Sequence, residues 1–374
     1  MLHSLPVTVK NPEVNHNKRN YGLDLAKAVS IVLVMIWHLQ PITLYPTKHA
    51  NVLSRFLIEA TEIFYLQITL VAVPTFILVS LFLFFEKLNT EGAVYFRRRM
   101  LRITELYVFW TIIQFGAYYL IRIIERLQTG RVFSLGIPDT TPGYLLVNGG
   151  PPLPLVGGSV FYFLFALLLL TAAAYPFFIL SKKTNIASVL GIIIILVSLI
   201  WIEITNLRAI KIHYWITWNF MVYLPLAYLI HKNQERLKTS TIIALGIGYL
   251  AFSIRDIILR EMNAPFSAYG RISIILGATT LFTSLIKWQA SKTSGVLSLL
   301  SGFSLGLFAT HKYWQYASFI GLNKIYTTYG LAKLIKLQTI HVNILTLQVA
   351  IIATFLTIAG VYIINKSPLA RYIK

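Results

Sequence analysis

The chain has 374 residues, of which 56% are hydrophobic and 12% charged, and it contains no cysteine. Soluble domains carry roughly a quarter charged residues, so most of this length belongs in lipid; without cysteine, disulfides, thiolate metal sites and a cysteinyl acyl intermediate are excluded. The net charge of +20, from 33 Lys+Arg against 13 Asp+Glu, reads on so apolar a chain as loop cations that set topology and meet anionic lipid, and no nucleic-acid partner is expected.

Continuous apolar runs of about 20 residues span a bilayer as helices. Lipid admits only helices or closed barrels, and the runs here do not alternate as barrel strands do. The expected fold is all-α and polytopic, with about ten transmembrane helices. Residues 1–20 are polar, with no apolar core and no cleavage site, and read as a cytoplasmic N-terminal segment. Residues 21–374 read as a single integral-membrane domain. In chain order the helices fall at 26–44, 60–85, 104–122, 159–180, 186–203, 214–230, 241–257, 271–287, 295–313 and 341–364. The seventh is short, and Arg255-Asp256 interrupts its continuation. Those two charges either pair, or the helix tilts or stops there.

Orientation follows the cations in the connections. With the N-terminus inside, the inner segments hold 18 Lys+Arg and the outer ones 14, Lys27 being counted as intramembrane. The bias is sharpest at "FRRRMLR", residues 96–102, and both termini are then cytoplasmic. Two outer connections are long: 123–158, rich in Gly and Pro, and 312–340, aromatic and basic. Each reads either as a lid over an outer opening or as an ordinary loop.

The first helix, "GLDLAKAVSIVLVMIWH", is apolar except for Asp24, Lys27 and His38. Lys27 and His38 are eleven residues apart, about three turns and about 16 Å along the axis, so they share a face. Asp24 lies one turn before Lys27, at pairing distance. An interfacial ion pair accounts for Asp24 and Lys27, because cations near helix ends snorkel cheaply. It does not account for His38. An imidazole deep in a span either bonds a neighbouring helix or serves function, and its neutral form is the one a general base needs. Further along, "FRRRMLRITELY" puts Arg99 and Arg102 on one helix face at the inner surface. They are either a positive-inside anchor or a clamp for an anion, since guanidinium forks grip phosphate bidentately.

These stretches together resemble acyltransferase family 3, a group of multi-pass membrane acyltransferases. The family's first helix carries Arg, ten residues, then His; "KAVSIVLVMIWH" keeps the spacing with Lys27 and His38. Its second helix ends in a P-x-F-F-x-x-S-G-F type pattern, and "VPTFILVSLFLF" supplies Pro74, Phe76 and Ser80 with Leu81 at the usual Gly. Its third begins Arg-x-x-Arg-Ile, usually followed by Pro and Tyr. Arg99, Arg102, Ile103 and Tyr107 match, and Glu105 replaces the Pro. A late S-x-G-x-Y-x-x-H pattern is met by Ser304, Gly306, Phe308 and His311, and "GGSVFYFLFALLLL" resembles an aromatic-opened middle helix. Lys27 departs from the family, since an ammonium cannot make the guanidinium fork.

The resemblance implies transfer of an acyl group, acetyl first and succinyl second, from cytoplasmic acyl-CoA to a hydroxyl of a cell-surface or lipid-linked polysaccharide. It makes His38 the general base and Lys27 its catalytic partner, either holding donor phosphate or stabilising developing negative charge, with Arg99 and Arg102 holding CoA phosphates. Asp24, Glu62, Tyr162 and His311 are weaker substrate-binding candidates. Bland readings stand beside the last three: an interfacial carboxylate for Glu62, a belt aromatic for Tyr162 and an interfacial histidine for His311. No metal is expected. The implied setting is a bacterial cytoplasmic membrane, beside proteins of polysaccharide synthesis or export. The competing reading is a proton-coupled transporter or flippase of an anionic or glycolipid substrate, which a mid-membrane histidine and a basic inner mouth also suit.

Overall fold

The computed structural model describes residues 21–129, 162–183, 186–208, 210, 213–214, 216–262, 267–288 and 295–373. Helices dominate: α1 (Tyr21–Leu39), α2 (Val52–Ile63), α3 (Ala72–Thr129), α4 (Tyr162–Lys183), α5 (Ile186–Leu207), α6 (Tyr223–Lys232), α7 (Thr239–Glu261), α8 (Ile272–Lys287), α9 (Gly295–Gly302), α10 (Ser304–Thr328) and α11 (Ile344–Asn365). Among the described residues six stretches are long and apolar enough to cross a bilayer: Tyr21–Leu39, Val52–Gln114, Tyr162–Lys182, Ile186–Leu207, Thr239–Glu261 and Ile344–Asn365. Ile272–Lys287 is a shorter apolar helix. The chain is therefore a helical membrane protein. The long connection expected at 123–158 lies outside the described residues from 130 onward.

Helix α1 is the central post. It packs against α3, α8, α9 and α10, and small residues at Ala26, Ala28 and Ser30 bury completely or nearly so. Small side chains let neighbouring helices approach closely where lipid offers no hydrophobic drive for association. The helix ends where Gln40 takes a left-handed φ of 42° just before Pro41. Proline disfavours the helical region for the residue before it, which enforces that stop. Buried threonines in these helices turn their hydroxyls back on their own backbone. Thr75 bonds Val71 O at 2.7 Å, Thr310 bonds Gly306 O at 2.8 Å and Thr357 bonds Ala353 O at 2.6 Å. Each hydroxyl is satisfied with no water in reach.

The 58-residue α3 is two arms. Gly92 breaks it with φ 61° and ψ −143°, a backbone region open in practice to glycine. Arg99 Nη2 donates to Ser80 Oγ at 2.5 Å, and Phe84 packs on Tyr95 and Phe96. Residues 19 apart in a continuous helix would sit about 28 Å apart, so the arms fold back antiparallel. This reversal carries the basic cluster against the end of the first arm.

Several expected boundaries are corrected. The seventh helix does not stop at Arg255-Asp256. α7 continues to Glu261, because each charge finds a partner on another element rather than its neighbour. Arg255 pairs with Glu203 of α5, and Asp256 lies 3.4 Å from Arg271. Asp256 also accepts from Ser273, and Arg271 donates to Leu66 O at 2.7 Å and Ala268 O at 3.2 Å. Leu66 belongs to a π-helical turn, Phe64–Ile68, between α2 and α3. Gln67 of that turn accepts from Ser253 and Ser273. The stretch expected as a helix at 214–230 instead holds a 3-10 turn at Thr217–Phe220 before the ten-residue α6. The expected helix at 295–313 divides into α9 and α10. The connection at 312–340 is largely helix, since α10 runs to Thr328.

The end of that connection joins the segment after α1 in the one departure, among the described residues, from an all-α fold. β1 (Leu44–Pro46), β2 (Leu334–Lys336) and β3 (Ile340–Asn343) make an antiparallel sheet in the order β1-β3-β2, pairing Leu44 with Val342 and Lys336 with His341. Strands of only three or four residues gave no periodic signal beside the helical runs. The sheet ties the end of α1 to the start of α11.

Arg271 and Asp256 are almost fully buried, so removing one leaves the other an uncompensated charge. Arg271→Met is expected to cost about 3–5 kcal/mol of stability, and Arg271→Met with Asp256→Asn to recover part of it. Thermal unfolding of the two variants in detergent checks this.

Candidate active site

A cavity of about 200 Å³ opens between α1, the two arms of α3, α4 and the start of α10. Its walls are apolar, with Phe76, Leu106, Phe163 and Phe308 among them, and its polar lining consists of Lys27, Arg99, Arg102, Ser80 and Ser304. Three cations expected from separate stretches thus converge on one space. The hairpin at Gly92 brings Arg99 there, and the shared face of α1 brings Lys27. Arg99 is held from one side by Ser80, while its buried Nε has no hydrogen-bond partner among the described residues. A buried guanidinium nitrogen without a partner costs free energy unless a ligand supplies an acceptor. An anionic ligand fits that requirement.

Arg102 is engaged differently. It lies 3.3 Å from Glu105 and donates to the carbonyl of Arg371, which itself bonds Glu105. The C-terminal turn at Pro368–Tyr372 is strapped there. Trp110 Nε1 donates to Tyr372 O at 3.0 Å, and the Tyr372 ring stacks on Phe109 at 3.8 Å. Gly306 admits this strap, because a Cβ there would meet Ile373 Cβ at 2.8 Å. Gly306→Ala is expected to loosen the C-terminal turn, and limited proteolysis would show faster cleavage after α11 than in wild type.

The histidines meet further along. His38 on α1 and His311 on α10 face each other with ring centroids 5.0 Å apart. His311 is fully buried, and its Nδ1 lies 3.1 Å from Leu307 O. A carbonyl only accepts, so Nδ1 is the donor and the neutral ring keeps its lone pair on Nε2. That Nε2 is buried with no partner among the described residues. The His38 ring is half-buried, and its backbone carbonyl, not its imidazole, is what the neighbouring helix bonds, through Gln315 Nε2 at 2.8 Å. Phe308 joins the histidines to the cationic cavity, its ring 6.2 Å from His311.

A second cavity, about 210 Å³, lies on the other side of the pair. Leu39 and Lys312, the residues next to each histidine, line it with Gln315, Tyr316, Phe319, Thr346 and Val349. Neither imidazole lines either chamber; along α1 and α10 the pair falls between the residues of the first chamber, which bears three cations, and those of the second.

The remaining sequence candidates are placed elsewhere. Asp24 accepts from Ser301 Oγ at 2.8 Å, tying α1 to α9. Glu62 pairs with Arg260 at 2.5 Å in an exposed position. Tyr162 donates to Tyr269 Oη at 2.9 Å, within an aromatic cluster that includes Tyr214 and Phe220. None of these three lines either chamber. Sequence reasoning missed Lys312 and Gln315. Their signal was a lysine directly beside His311, hidden by placing residue 312 in a loop.

Comparison with known proteins gives one match: residues 20–366 fit the family model described as an acyltransferase domain. No curated protein and no solved structure matches.

Proposed function

This chain belongs to the acyltransferase domain family, and from that premise we propose that it transfers an acyl group from cytoplasmic acyl-CoA to a hydroxyl of a cell-surface or lipid-linked polysaccharide, with acetyl as the first donor to test and succinyl the second. The observation that carries the reading is the His38–His311 pair standing between two chambers, one of them lined by Lys27, Arg99 and Arg102. The topology proposed with it is about ten passes, both termini in the cytoplasm, residues 21–374 acting as one domain, in a bacterial cytoplasmic membrane beside polysaccharide synthesis or export proteins.

In this reading Arg99 and Arg102 grip donor phosphate at the mouth of the first chamber, and the thioester end of the pantetheine arm reaches past Phe308. A chamber of about 200 Å³ is smaller than the range that encloses a drug-sized ligand, so it takes the arm and not the nucleotide. The acceptor arrives through the second chamber. His38 takes the proton as the acceptor oxygen attacks the thioester carbonyl. A C–O bond forms, the C–S bond breaks, and the CoA thiolate leaves with the proton returned from the imidazolium. Positive charge from Lys27 favours the negative charge that develops on the way. His311, oriented by Leu307 O, holds its lone pair toward the interior and keeps His38 in place; it is the second proton acceptor within reach.

The test uses protein in nanodiscs with labelled acetyl-CoA, then succinyl-CoA, and a membrane-glycolipid extract. Label entering the glycan supports the reading. Absence of transfer together with absence of acyl-CoA binding favours a proton-coupled carrier instead.

A further inference from the structure

We propose that the second chamber is an acceptor subsite selective for an anionic carbohydrate, with Lys312 as the residue that holds its oxyanion. This rests on the acyl-transfer reading for the word acceptor, but the subsite itself stands on its own geometry.

Lys312 is the ninth residue of α10, within an apolar bundle, and adjacent to fully buried His311. An ammonium so placed is costly unless paired or functional. No carboxylate among the described residues forms an ion pair with it; its partner is a neutral amide, Gln315 Oε1 at 3.0 Å. Gln315 in turn donates to His38 O at 2.8 Å. The cation is thus fixed by an amide that also grips the backbone of the catalytic histidine. A Lys–Gln pair leaves a full positive charge unneutralised on a chamber of about 210 Å³. The other walls supply what a sugar needs: Tyr316 and Phe319 for the apolar face of a pyranose, and the Thr346 hydroxyl for a ring hydroxyl. Leu39, the residue after His38, also lines it. A neutral glycan would leave the charge uncompensated. A glycan with a carboxylate, or a sugar on a pyrophosphoryl lipid, would neutralise it and set a neighbouring hydroxyl toward the imidazole.

The two anion sources separate by experiment. Equilibrium binding to the full-length protein in nanodiscs is measured with three probes: an oligosaccharide containing a uronic acid, a lipid-linked sugar pyrophosphate, and a neutral oligosaccharide of equal length. At least one anionic probe is expected to bind more tightly than the neutral one. Lys312→Met is expected to abolish that preference, weakening the anionic probe by about 10-fold or more, as for loss of a charge-assisted hydrogen bond. Lys312→Arg should retain it. Acyl-CoA binding and thermal stability of Lys312→Met serve as the folding control. Which anionic probe responds identifies the carboxylate or the pyrophosphate as the recognised group. Equal binding of all three probes by wild type, or an anionic preference untouched in Lys312→Met, overturns the subsite. Lys312-dependent binding without any acyl transfer by wild type would leave the subsite standing and overturn the enzymatic reading. Transfer that proceeds with no dependence on Lys312 would do the reverse.

Discussion

His38→Ala is expected to lower kcat for acyl transfer by about 10²–10⁴-fold, the range for loss of a general base and equal to about 3–5 kcal/mol of transition-state stabilisation. Acyl-CoA affinity should hardly move, because the cations proposed to hold the donor are other residues, in the first chamber. A structural role would give a different pattern. The His38 ring makes no hydrogen bond to the described residues and packs on His311. Its removal therefore leaves no buried group newly unsatisfied, and thermal stability should stay close to wild type. Loss of stability with parallel losses in kcat and donor binding would mark His38 as a packing residue. His311→Gln supplies the contrast. Its ring is fully buried and bonded to Leu307 O, so that variant should lose both stability and activity.

Arg99→Ala is the second large effect. The guanidinium is fixed by Ser80 and keeps its Nε free for an acceptor inside the chamber. Charge-assisted hydrogen bonds contribute about 1.5–3 kcal/mol each, so the KM for acyl-CoA should rise about 10- to 100-fold with a smaller change in kcat. Arg99→Lys should restore charge but not the fork, and recover only part of the loss. Arg102→Ala should look different in kind. Its side chain also holds Glu105 and the Arg371 carbonyl, so loosening of the C-terminal turn should accompany its effect on donor binding. Titrating KM and kcat against acyl-CoA for the three variants, with proteolysis of the C-terminus beside them, separates the two roles.

Much of the cationic chamber was legible in the sequence because its residues follow helical periodicity. Positions eleven residues apart, as Lys27 and His38 are, return to one face in any helix, whatever surrounds it. Ile31 and Val34, on the same stripe, are buried at 0% and 2% exposure, so this face does point inward. Arg99 and Arg102 likewise share a face by spacing alone. What spacing cannot give is which helices meet. That His38 faces His311, 273 positions on, required a tertiary fold, and only the motif likeness had singled out His311.

The misplacements have physical causes. A lysine usually ends an apolar run, so Lys312 read as the start of a loop although α10 carries it inside the bundle. Arg255-Asp256 read as an interruption because partners on α5 and before α8 are invisible to a local window. The stretch before α6 looked helical by hydropathy. There Asn219 is buried and bonds back to His213 O at 3.0 Å, a local side-chain bond that competes with the helix and holds a 3-10 turn in its place. Glu62, read as a carboxylate near an outer helix start, and Tyr162, read as an aromatic, make their polar contacts with Arg260 and Tyr269, away from the chambers.

Donor and acceptor entering from opposite ends would make the transfer vectorial. Sealed proteoliposomes with protein of determined orientation would receive labelled acyl-CoA on the outside and glycan acceptor only within the lumen. Vesicles whose Arg99 end faces outward should deliver label to the enclosed acceptor, and the opposite orientation should deliver none. Transfer that occurs only when donor and acceptor share one side would contradict a histidine pair served by two chambers.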